Sequence, residues 1–178
     1  MKIIILFFLL IFTSCSNIPK NSWKKINNTN NKIFFNIETG DIILKKRQSN
    51  FLGLFGHVGV MKTPRLVVDY PKLGESLRVT DINYWLEQDR DFIILRYIGM
   101  NKLFEKNFIE ILNKYIKLKR PYKINFNLKT DNGFYCSQFI WFIFYQTENK
   151  LYINNLKDDS FLFFPYDFVY SKKFYIVF

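Results

Sequence analysis

Residues 135–145 are apolar almost all the way round a helix, and this stretch constrains the fold more than any other part of the chain. A helix with apolar residues on every side is normally buried. The fold must therefore provide other elements that cover it. About 140 residues follow position 37, enough for one domain with a substantial core.

The remaining patterns predict an α+β fold in which strands and helices alternate. Residues 103–118 place apolar side chains at spacings of three and four, which indicates an amphipathic helix. Residues 80–86 predict a short capped helix. Strands are expected at residues 41–44, 57–61, 66–70, 92–97 and 174–178, the second and third forming an antiparallel hairpin.

The N-terminus has the pattern of a bacterial lipoprotein signal. Met1 and Lys2 form a short basic start, residues 3–12 are apolar, and the small residues Thr13 and Ser14 precede Cys15. This apolar stretch is too short to span a bilayer, which takes about 20 residues. We expect a signal peptide over 1–14 and lipid chains on Cys15. An ordinary secretory signal and a first structural strand are the alternatives.

The segment that follows is rich in Asn, Lys and Ser and has little apolar periodicity. We therefore expect residues 15–37 to contain the lipidated cysteine and a flexible tether. The folded domain is expected to span 38–178. This organisation predicts a membrane-anchored lipoprotein of the bacterial cell envelope, at the outer membrane or the cell surface, with a monomeric body.

The formal net charge of +11 favours anionic partners, such as phospholipid head groups or acidic wall polymers. A solvated lysine-rich surface without a specific partner explains the charge equally well. Export argues against nucleic acid, and the sequence has no zinc-finger spacing, basic helix or RNA-recognition signature. We therefore expect no nucleic-acid partner.

Thiol and imidazole chemistry in the mature chain falls to one pair of residues. His57 is the only histidine, and with Cys15 lipidated, Cys136 is the only free thiol. Cys136 follows the turn residues 131–133 and so lies at a helix start, where the helix dipole and unpaired N–H groups favour a thiolate. Asp69 lies across the predicted hairpin from His57 and is the candidate that orients the imidazole.

Each of these residues also has a purely structural interpretation. A lone cysteine on an apolar helix is usually a small core residue. A lone histidine beside a strand is often just hydrogen-bonded, and an aspartate near a proline is often a turn former. A single histidine offers no metal-ligand cluster, and no glycine-rich phosphate loop precedes a helix. We therefore expect no metal and no other cofactor.

Five motifs in this order resemble the circularly permuted branch of the NlpC-like papain-fold superfamily. They are Gly-Asp-Ile-Ile at 40–43, Gly-His-Val-Gly-Val at 56–60, Pro-Tyr at 121–122, Asp-Asn-Gly-Phe-Tyr-Cys-Ser-Gln at 131–138 and Phe-Pro-Tyr-Asp-Phe at 164–168. The nearest resemblance is to the YiiX-like proteins, and lecithin retinol acyltransferase-like proteins are more distant. Two positions depart from the pattern: Gln138 replaces a common glutamate, and Lys123 replaces a common aspartate.

This resemblance implies an antiparallel barrel-like sheet that carries His57, with Cys136 at the start of a helix packed on the sheet. Tyr135, Ser137 and Tyr122 are candidates for substrate binding or oxyanion stabilisation. The expected function is a thiol hydrolase with a Cys-His-Asp triad and an acyl-enzyme intermediate, most simply a cell-wall peptidase or amidase. A lipid-directed acyl hydrolase or acyltransferase and a noncatalytic envelope-binding module are the alternatives.

Overall fold

The computed structural model describes residues 18–19, 22–24, 36–49, 54–87, 91–153 and 161–177. The predicted signal peptide and Cys15 lie outside these residues and stay predictions. Ile18 and Ile37 are nevertheless buried against the body, and Lys24 forms a β-bridge with Phe92. These short parts of the expected tether therefore contact the domain, while the flexibility of the rest of 15–37 stays a prediction.

Six antiparallel strands form one sheet in the order β4-β3-β2-β1-β5-β6. The strands are β1 (Ile42–Lys45), β2 (His57–Thr63), β3 (Leu66–Asp69), β4 (Arg78–Asp81), β5 (Phe92–Tyr97) and β6 (Phe174–Ile176). The order ends at β4 and β6, so the described strands form an open sheet, whereas the resemblance implied a barrel-like one. The α+β class and the antiparallel sheet are confirmed.

In the described part of the chain, four helices accompany the sheet: α1 (Ile82–Leu86), α2 (Lys102–Leu118), α3 (Cys136–Lys150) and α4 (Asp167–Tyr170). Local hydrogen bonds explain where the first two begin. The Asp81 side chain accepts from the N–H of Asn83, and the Asn101 side chain accepts from the N–H groups of Leu103 and Phe104. Such caps satisfy donors that a helix start leaves unpaired.

The sheet is buried on both faces, which explains the continuous apolar character of β1. The larger cluster contains Leu44, Val58, Phe108 and Phe139, and it joins the sheet to helices α2 and α3. A smaller cluster on alternate residues of the same strands packs around Trp85 of α1. In the described part of the chain, no helix is both long and apolar enough to cross a membrane.

Strand β4 and the short helix α4 are the elements that the sequence patterns missed. We expected a helix from residue 80, but residues 78–81 pair with β3 as an edge strand, and the helix begins at Ile82. The sequence Arg-Val-Thr-Asp of β4 has a partly exposed burial pattern without a clear apolar alternation. Its strand form follows from hydrogen bonding to β3 rather than from its own pattern.

Candidate active site

His57 opens strand β2, and the chain reaches it through a close approach at Gly56. Gly56 has φ +74°, and a Cβ there would lie 2.8 Å from the carbonyl oxygen of Lys45. Glycine is therefore required immediately before the histidine. The imidazole is thus held where β2 leaves its loop, with about 15% of the side chain exposed.

Asp69, at the end of β3, is the hydrogen-bond partner of His57. Nε2 of His57 lies 2.7 Å from Oδ2 of Asp69, and the carboxylate is fully buried. A buried carboxylate requires a charged or hydrogen-bonding partner. The structure therefore brings together His57 and Asp69, which the predicted hairpin places opposite each other.

Arg78 of β4 is a second partner of Asp69 that the sequence did not indicate. Its Nε donates to Oδ1 of Asp69 at 3.1 Å, and its Nη2 donates to Oδ2 at 3.4 Å. The Cα atoms of Arg78 and Asp69 are paired across β3 and β4. Finding this arginine from the sequence would have required prediction of strand β4.

Trp85 packs beside the imidazole and was also missed. The ring centroids of His57 and Trp85 are 5.7 Å apart. The indole needs the space that Gly59 leaves, since a Cβ at Gly59 would lie 3.1 Å from Cζ2 of Trp85. The buried ammonium of Lys45 lies over the indole, 3.9 Å from the ring centroid, and donates to the backbone carbonyl of Trp85.

Cys136 is the first residue of α3 and is a free thiol of intermediate exposure. The first intrahelical hydrogen bond runs from the N–H of Phe139 to the carbonyl of Tyr135. The N–H groups of residues 136–138 therefore precede that bond, at the positive end of a 15-residue helix. The thiol lies close enough to His57 for its interaction with the imidazole to raise the pKa of His57. Because Nε2 faces Asp69, Nδ1 is the ring nitrogen left for the thiol.

The pKa values of the pair shift in opposite directions. Burial lowers the pKa of His57, but the hydrogen bond to Asp69, the interaction with Cys136 and the negative charges of both groups together outweigh burial and raise it to about 9. Burial raises the pKa of Asp69, but the hydrogen bond and charge of His57 outweigh it, with a smaller contribution from Arg78, so that the pKa falls below its ordinary value. An imidazolium and a carboxylate therefore coexist at neutral pH. The indole N–H of Trp85 also favours the carboxylate, although it makes no hydrogen bond of normal geometry among the described residues.

Tyr122 lies near the thiol. Burial, and then the negative charge of Cys136, raise the pKa of Tyr122 to about 12. Its phenol therefore stays protonated at neutral pH and remains a hydrogen-bond donor. A parallel bridge between Tyr122 and Phe134 fixes the backbone of this residue beside the chain that leads into Cys136.

The side chains on either side of Cys136 hold another segment of the chain. The Tyr135 hydroxyl accepts from the N–H of Phe163 at 2.9 Å, and the Ser137 hydroxyl donates to the Phe163 carbonyl at 2.5 Å. Ser137 is fully buried. Both hydroxyl groups thus bond to the backbone of Phe163. Of these two residues, the backbone N–H of Ser137 remains as an oxyanion candidate.

Gln138, which departs from the family pattern, is fully buried. Its Nε2 donates to the carbonyl of Asn127 at 3.2 Å, while its Oε1 has no partner among the described residues. The amide joins the start of α3 to the loop before it. The side chain of Gln138 therefore contacts the protein backbone, as the hydroxyl of Ser137 does.

A partly exposed aromatic pair joins segments of the chain that adjoin the two halves of the site. Phe55, two residues before His57, is 42% exposed, and its ring stacks on that of Phe164 with centroids 5.4 Å apart. Phe164 follows Phe163, whose backbone the neighbours of Cys136 hold. The pair therefore joins the loop before the histidine to the segment held beside the cysteine.

The side chains around His57 do not favour binding of a metal ion. In the parts of the chain that the structure describes, no three His, Cys, Asp or Glu side chains are grouped so that they could hold one. Asp69 has both carboxylate oxygens bonded to Arg78, and one of them also to His57. A guanidinium in this position competes with a cation for the same lone pairs.

The fold and site define an α+β protein with a cysteine at a helix start beside a buried histidine–aspartate pair. No family model matches the sequence, and no curated protein matches it. The fold is similar to the crystal structure of the metalloprotein yiiX from Escherichia coli O157:H7, with a TM-score of 0.57 and 15% sequence identity. The match covers 79% of this chain and 96% of that one. At this identity the similarity shows a YiiX-like fold, while the NlpC-like, lecithin retinol acyltransferase-like and permuted papain-like relationships stay predictions.

Proposed function

We propose that this protein is a cysteine hydrolase that forms an acyl-enzyme on Cys136. The observation that carries the proposal is one imidazole with two partners, the carboxylate of Asp69 and the thiol of Cys136. An imidazolium beside a thiol at a helix N-terminus stabilises the thiolate, which is the nucleophilic form. The arrangement supplies a nucleophile, a proton donor and an orienting group.

In the first step, the Cys136 thiolate attacks the carbonyl carbon of an amide or ester and forms a tetrahedral oxyanion. Nδ1 of the His57 imidazolium then gives its proton to the leaving nitrogen or oxygen as the scissile bond breaks. The products of this step are a thioester on Cys136 and a free amine or alcohol. The neutral imidazole next takes a proton from water, the hydroxide attacks the thioester, and Cys136 leaves as thiolate.

On this proposal, two groups stabilise the oxyanion. Backbone N–H groups in the first turn of α3 lie beside the sulfur, at the positive end of the helix dipole. The protonated phenol of Tyr122 is the second donor, since its pKa is raised to about 12 by burial and by the charge of Cys136. Asp69 takes no proton in this scheme and only holds the imidazole and its charge.

A wall peptide is the first substrate class. The lipoprotein signal predicted at Cys15 would tether the domain at the bacterial envelope, at the outer membrane or the cell surface, where wall peptides are within reach. The +11 net charge favours approach to acidic wall polymers. On this proposal the enzyme cleaves amide bonds of the wall as a monomeric peptidase or amidase.

An acyl lipid is the second candidate substrate, and the aromatic pair Phe55–Phe164 favours it. An aromatic stack with one exposed ring, on segments that adjoin the site, suits an apolar chain better than a polar wall fragment. The guanidinium of Arg47 lies over the Tyr166 ring, 4.1 Å from its centroid, and has no carboxylate partner among the described residues. A lipid with an anionic head group would match this pairing of ring and cation.

The yiiX protein is named as a metalloprotein. The residues described here do not fit a metal ion, because the carboxylate beside His57 is already bonded by Arg78. No step of the proposed mechanism therefore involves a metal.

The proposal is tested by incubating the full chain separately with wall fragments and with phospholipid vesicles. Mass spectrometry of the products and of the tryptic peptide that contains Cys136 then shows which substrate is cleaved. We expect one substrate to give a new product and a transient acyl adduct on Cys136 that is absent in Cys136→Ala. Binding without any product in either reaction, with equal binding by Cys136→Ala, would instead identify a noncatalytic envelope-binding module.

A further inference from the structure

Arg78 makes a two-point contact with the buried carboxylate of the site. Its Nε and Nη2 reach the two oxygens of Asp69, at 3.1 Å and 3.4 Å, and His57 bonds to one of the same oxygens. A single hydrogen bond leaves a carboxylate free to rotate, whereas a guanidinium fork fixes its plane. The Asp69 side chain has 0% exposure, so water does not replace these donors.

We propose that Arg78 is a positioning residue that keeps Asp69 ionised and oriented toward Nε2 of His57 throughout the reaction. The inference rests on the proposed function, because it concerns the imidazole that the mechanism uses. Arg78 acts through Asp69 and touches no reacting atom in the scheme.

The reason lies in the charge that His57 loses during each turnover. As an imidazolium, His57 neutralises Asp69, but after it protonates the leaving group it is neutral. A buried carboxylate without a counter-charge is costly and tends to take up a proton or rotate toward another donor. The guanidinium of Arg78 stays charged at every step. It therefore supplies the counter-charge that the imidazole cannot supply after proton transfer.

Polar and charged groups from several elements surround this pair. Asp69 of β3 faces His57 of β2 and Arg78 of β4, and the Trp85 indole of α1 lies beside them. On the other side, His57 faces Cys136 of α3. The buried ammonium of Lys45, on β1, lies over the Trp85 ring, and Tyr122 lies near the thiol. Arg78 is the cation that bonds directly to the carboxylate, so its removal is expected to have the largest effect on Asp69.

The test compares Arg78→Gln, which removes the charge, with Arg78→Lys, which keeps the charge but loses the fork. Since His57 is the only histidine, ¹⁵N-histidine labelling of the full chain reports this imidazole alone. Removing a nearby cation raises the pKa of both an acid and a base. We expect the His57 titration in Arg78→Gln to move up by roughly 0.5–1 pH unit, reduced by solvent because Arg78 is 33% exposed.

The alkylation of Cys136 by iodoacetamide, followed by peptide mapping, gives a second readout. Removal of the same cation also disfavours the thiolate, so the acid side of the rate profile should move up as well. At pH 5 we expect Arg78→Gln to react roughly threefold to tenfold more slowly than the wild type, which corresponds to the same shift. Arg78→Lys should lie between Arg78→Gln and the wild type in both measurements, because it keeps the charge but loses the fork.

Arg65→Gln is the matched control, because Arg65 is 84% exposed and lies 3.9 Å from Asp81. If Arg78→Gln gave the same His57 titration and alkylation profile as Arg65→Gln, the inference would be overturned, even if the variant were less stable to heat. A shift in Arg78→Lys as large as that in Arg78→Gln would also overturn it. If Arg78→Gln did not fold, the double variant Arg78→Gln/Asp69→Asn should fold again, because it no longer buries an unpaired carboxylate. Failure of the double variant to fold would overturn the inference and assign Arg78 a packing role only.

The same data separate this inference from the proposed function. If the wild-type Cys136 reacted at pH 6 no faster than it does in His57→Ala, the proposed function itself would fail. A reactive wild type together with an unshifted Arg78→Gln would remove only the role of Arg78.

Discussion

Nε2 of His57 and Oδ2 of Asp69 lie 2.7 Å apart, although 12 residues separate them in the chain. The hairpin of β2 and β3 turns at Pro64 and Arg65 and returns Asp69 to the histidine. The carboxylate is buried and the imidazole nearly so. Their charges therefore interact in surroundings that screen them weakly, and the protein's stability should depend on pH through this pair.

The first prediction is that stability falls as the pH rises from about 6.5 to above 9. The pKa of His57 is raised from 6.5 to about 9, so its stabilising contribution is complete below pH 6.5 and is lost as the pH passes the folded value. The pKa of Asp69 is lowered, so the same interaction is also lost when the pH falls through the folded value of Asp69. We expect an alkaline loss on the order of 2–3 kcal/mol in the free energy of unfolding, measured by urea titration.

His57→Gln is the control for this prediction. It removes the titrating group and leaves the lysine-rich surface unchanged, so its stability should vary less between pH 6 and pH 9.5 than that of the wild type. An equally steep loss in both proteins would assign the pH dependence to other groups.

The second prediction separates the roles within the proposed triad. Cys136→Ala and His57→Ala should each abolish turnover, and the double variant should be hardly worse, because groups that act as a unit are not additive. Asp69→Asn should keep the fold and a residual rate, with a loss on the order of tenfold to several thousandfold in kcat. The measurement is turnover of whichever substrate the product screen identifies.

Glu75 and Asp81 provide matched controls for Asp69. The Glu75 side chain pairs with Lys72, and Asp81 caps helix α1, a role that asparagine fills equally well. Glu75→Gln and Asp81→Asn should therefore stay near wild-type turnover. Full activity in Asp69→Asn together with a loss in either control would show that another residue orients the imidazole.

The third prediction concerns the space above Gly59. A Cβ there would lie 2.5 Å from Cγ1 of Val67 and 3.1 Å from Cζ2 of Trp85. Gly59→Ala should therefore cost about 1–3 kcal/mol through overpacking. Because Trp85 packs on the His57 ring, the variant should also slow alkylation of Cys136.

Gly74→Ala is the comparison for Gly59→Ala. Gly74 has φ +87° and open space around its Cβ position, so alanine there strains only the backbone. It should lower the melting temperature but leave the alkylation rate unchanged. Equal alkylation rates in both variants would separate Trp85 from the function of the site.

The fourth prediction tests the anchor. Cys15→Ala should release the protein from membranes or block its maturation, because the lipid chains are expected on that thiol. Metabolic labelling with an alkyne fatty acid should mark the wild type and not the variant. Equal labelling of both proteins would be incompatible with lipidation at Cys15.

Strong local patterns predicted most of the fold. The apolar run at 135–145 lies in α3, the spacing of three and four in residues 103–118 corresponds to α2, and the paired strands around Pro64 form a hairpin. In each case the pattern spans several residues and reflects burial of one face or of all faces. The closeness of His57 and Asp69 then follows from hairpin geometry alone.

Residues whose roles depend on tertiary contacts could not be predicted. Arg78 lies on an edge strand that its own sequence does not favour, so its contact with Asp69 depends on pairing with β3. Lys45 ends an apolar strand, where a lysine normally reaches solvent, but its ammonium is buried over Trp85. Pairing between strands that are distant in sequence and packing across the sheet determine both positions.

The two residues next to Cys136 in the chain also have contacts that the sequence could not predict. Tyr135 and Ser137 were expected near the substrate because they flank the nucleophile. Their hydroxyls instead bond to the backbone of Phe163, which lies 28 residues after Tyr135 and 26 residues after Ser137. Sequence proximity to a candidate nucleophile therefore does not indicate the direction in which these side chains point.

The reactivity of Cys136 at pH 6 tests the central claim most directly. The rate constant for alkylation by iodoacetamide is measured by peptide mapping for the wild type and for His57→Ala. A thiolate held by an imidazolium and a helix N-terminus should react roughly tenfold or more faster in the wild type than in the variant. Equal, slow alkylation in both folded proteins would contradict the account and identify Cys136 as an ordinary core cysteine.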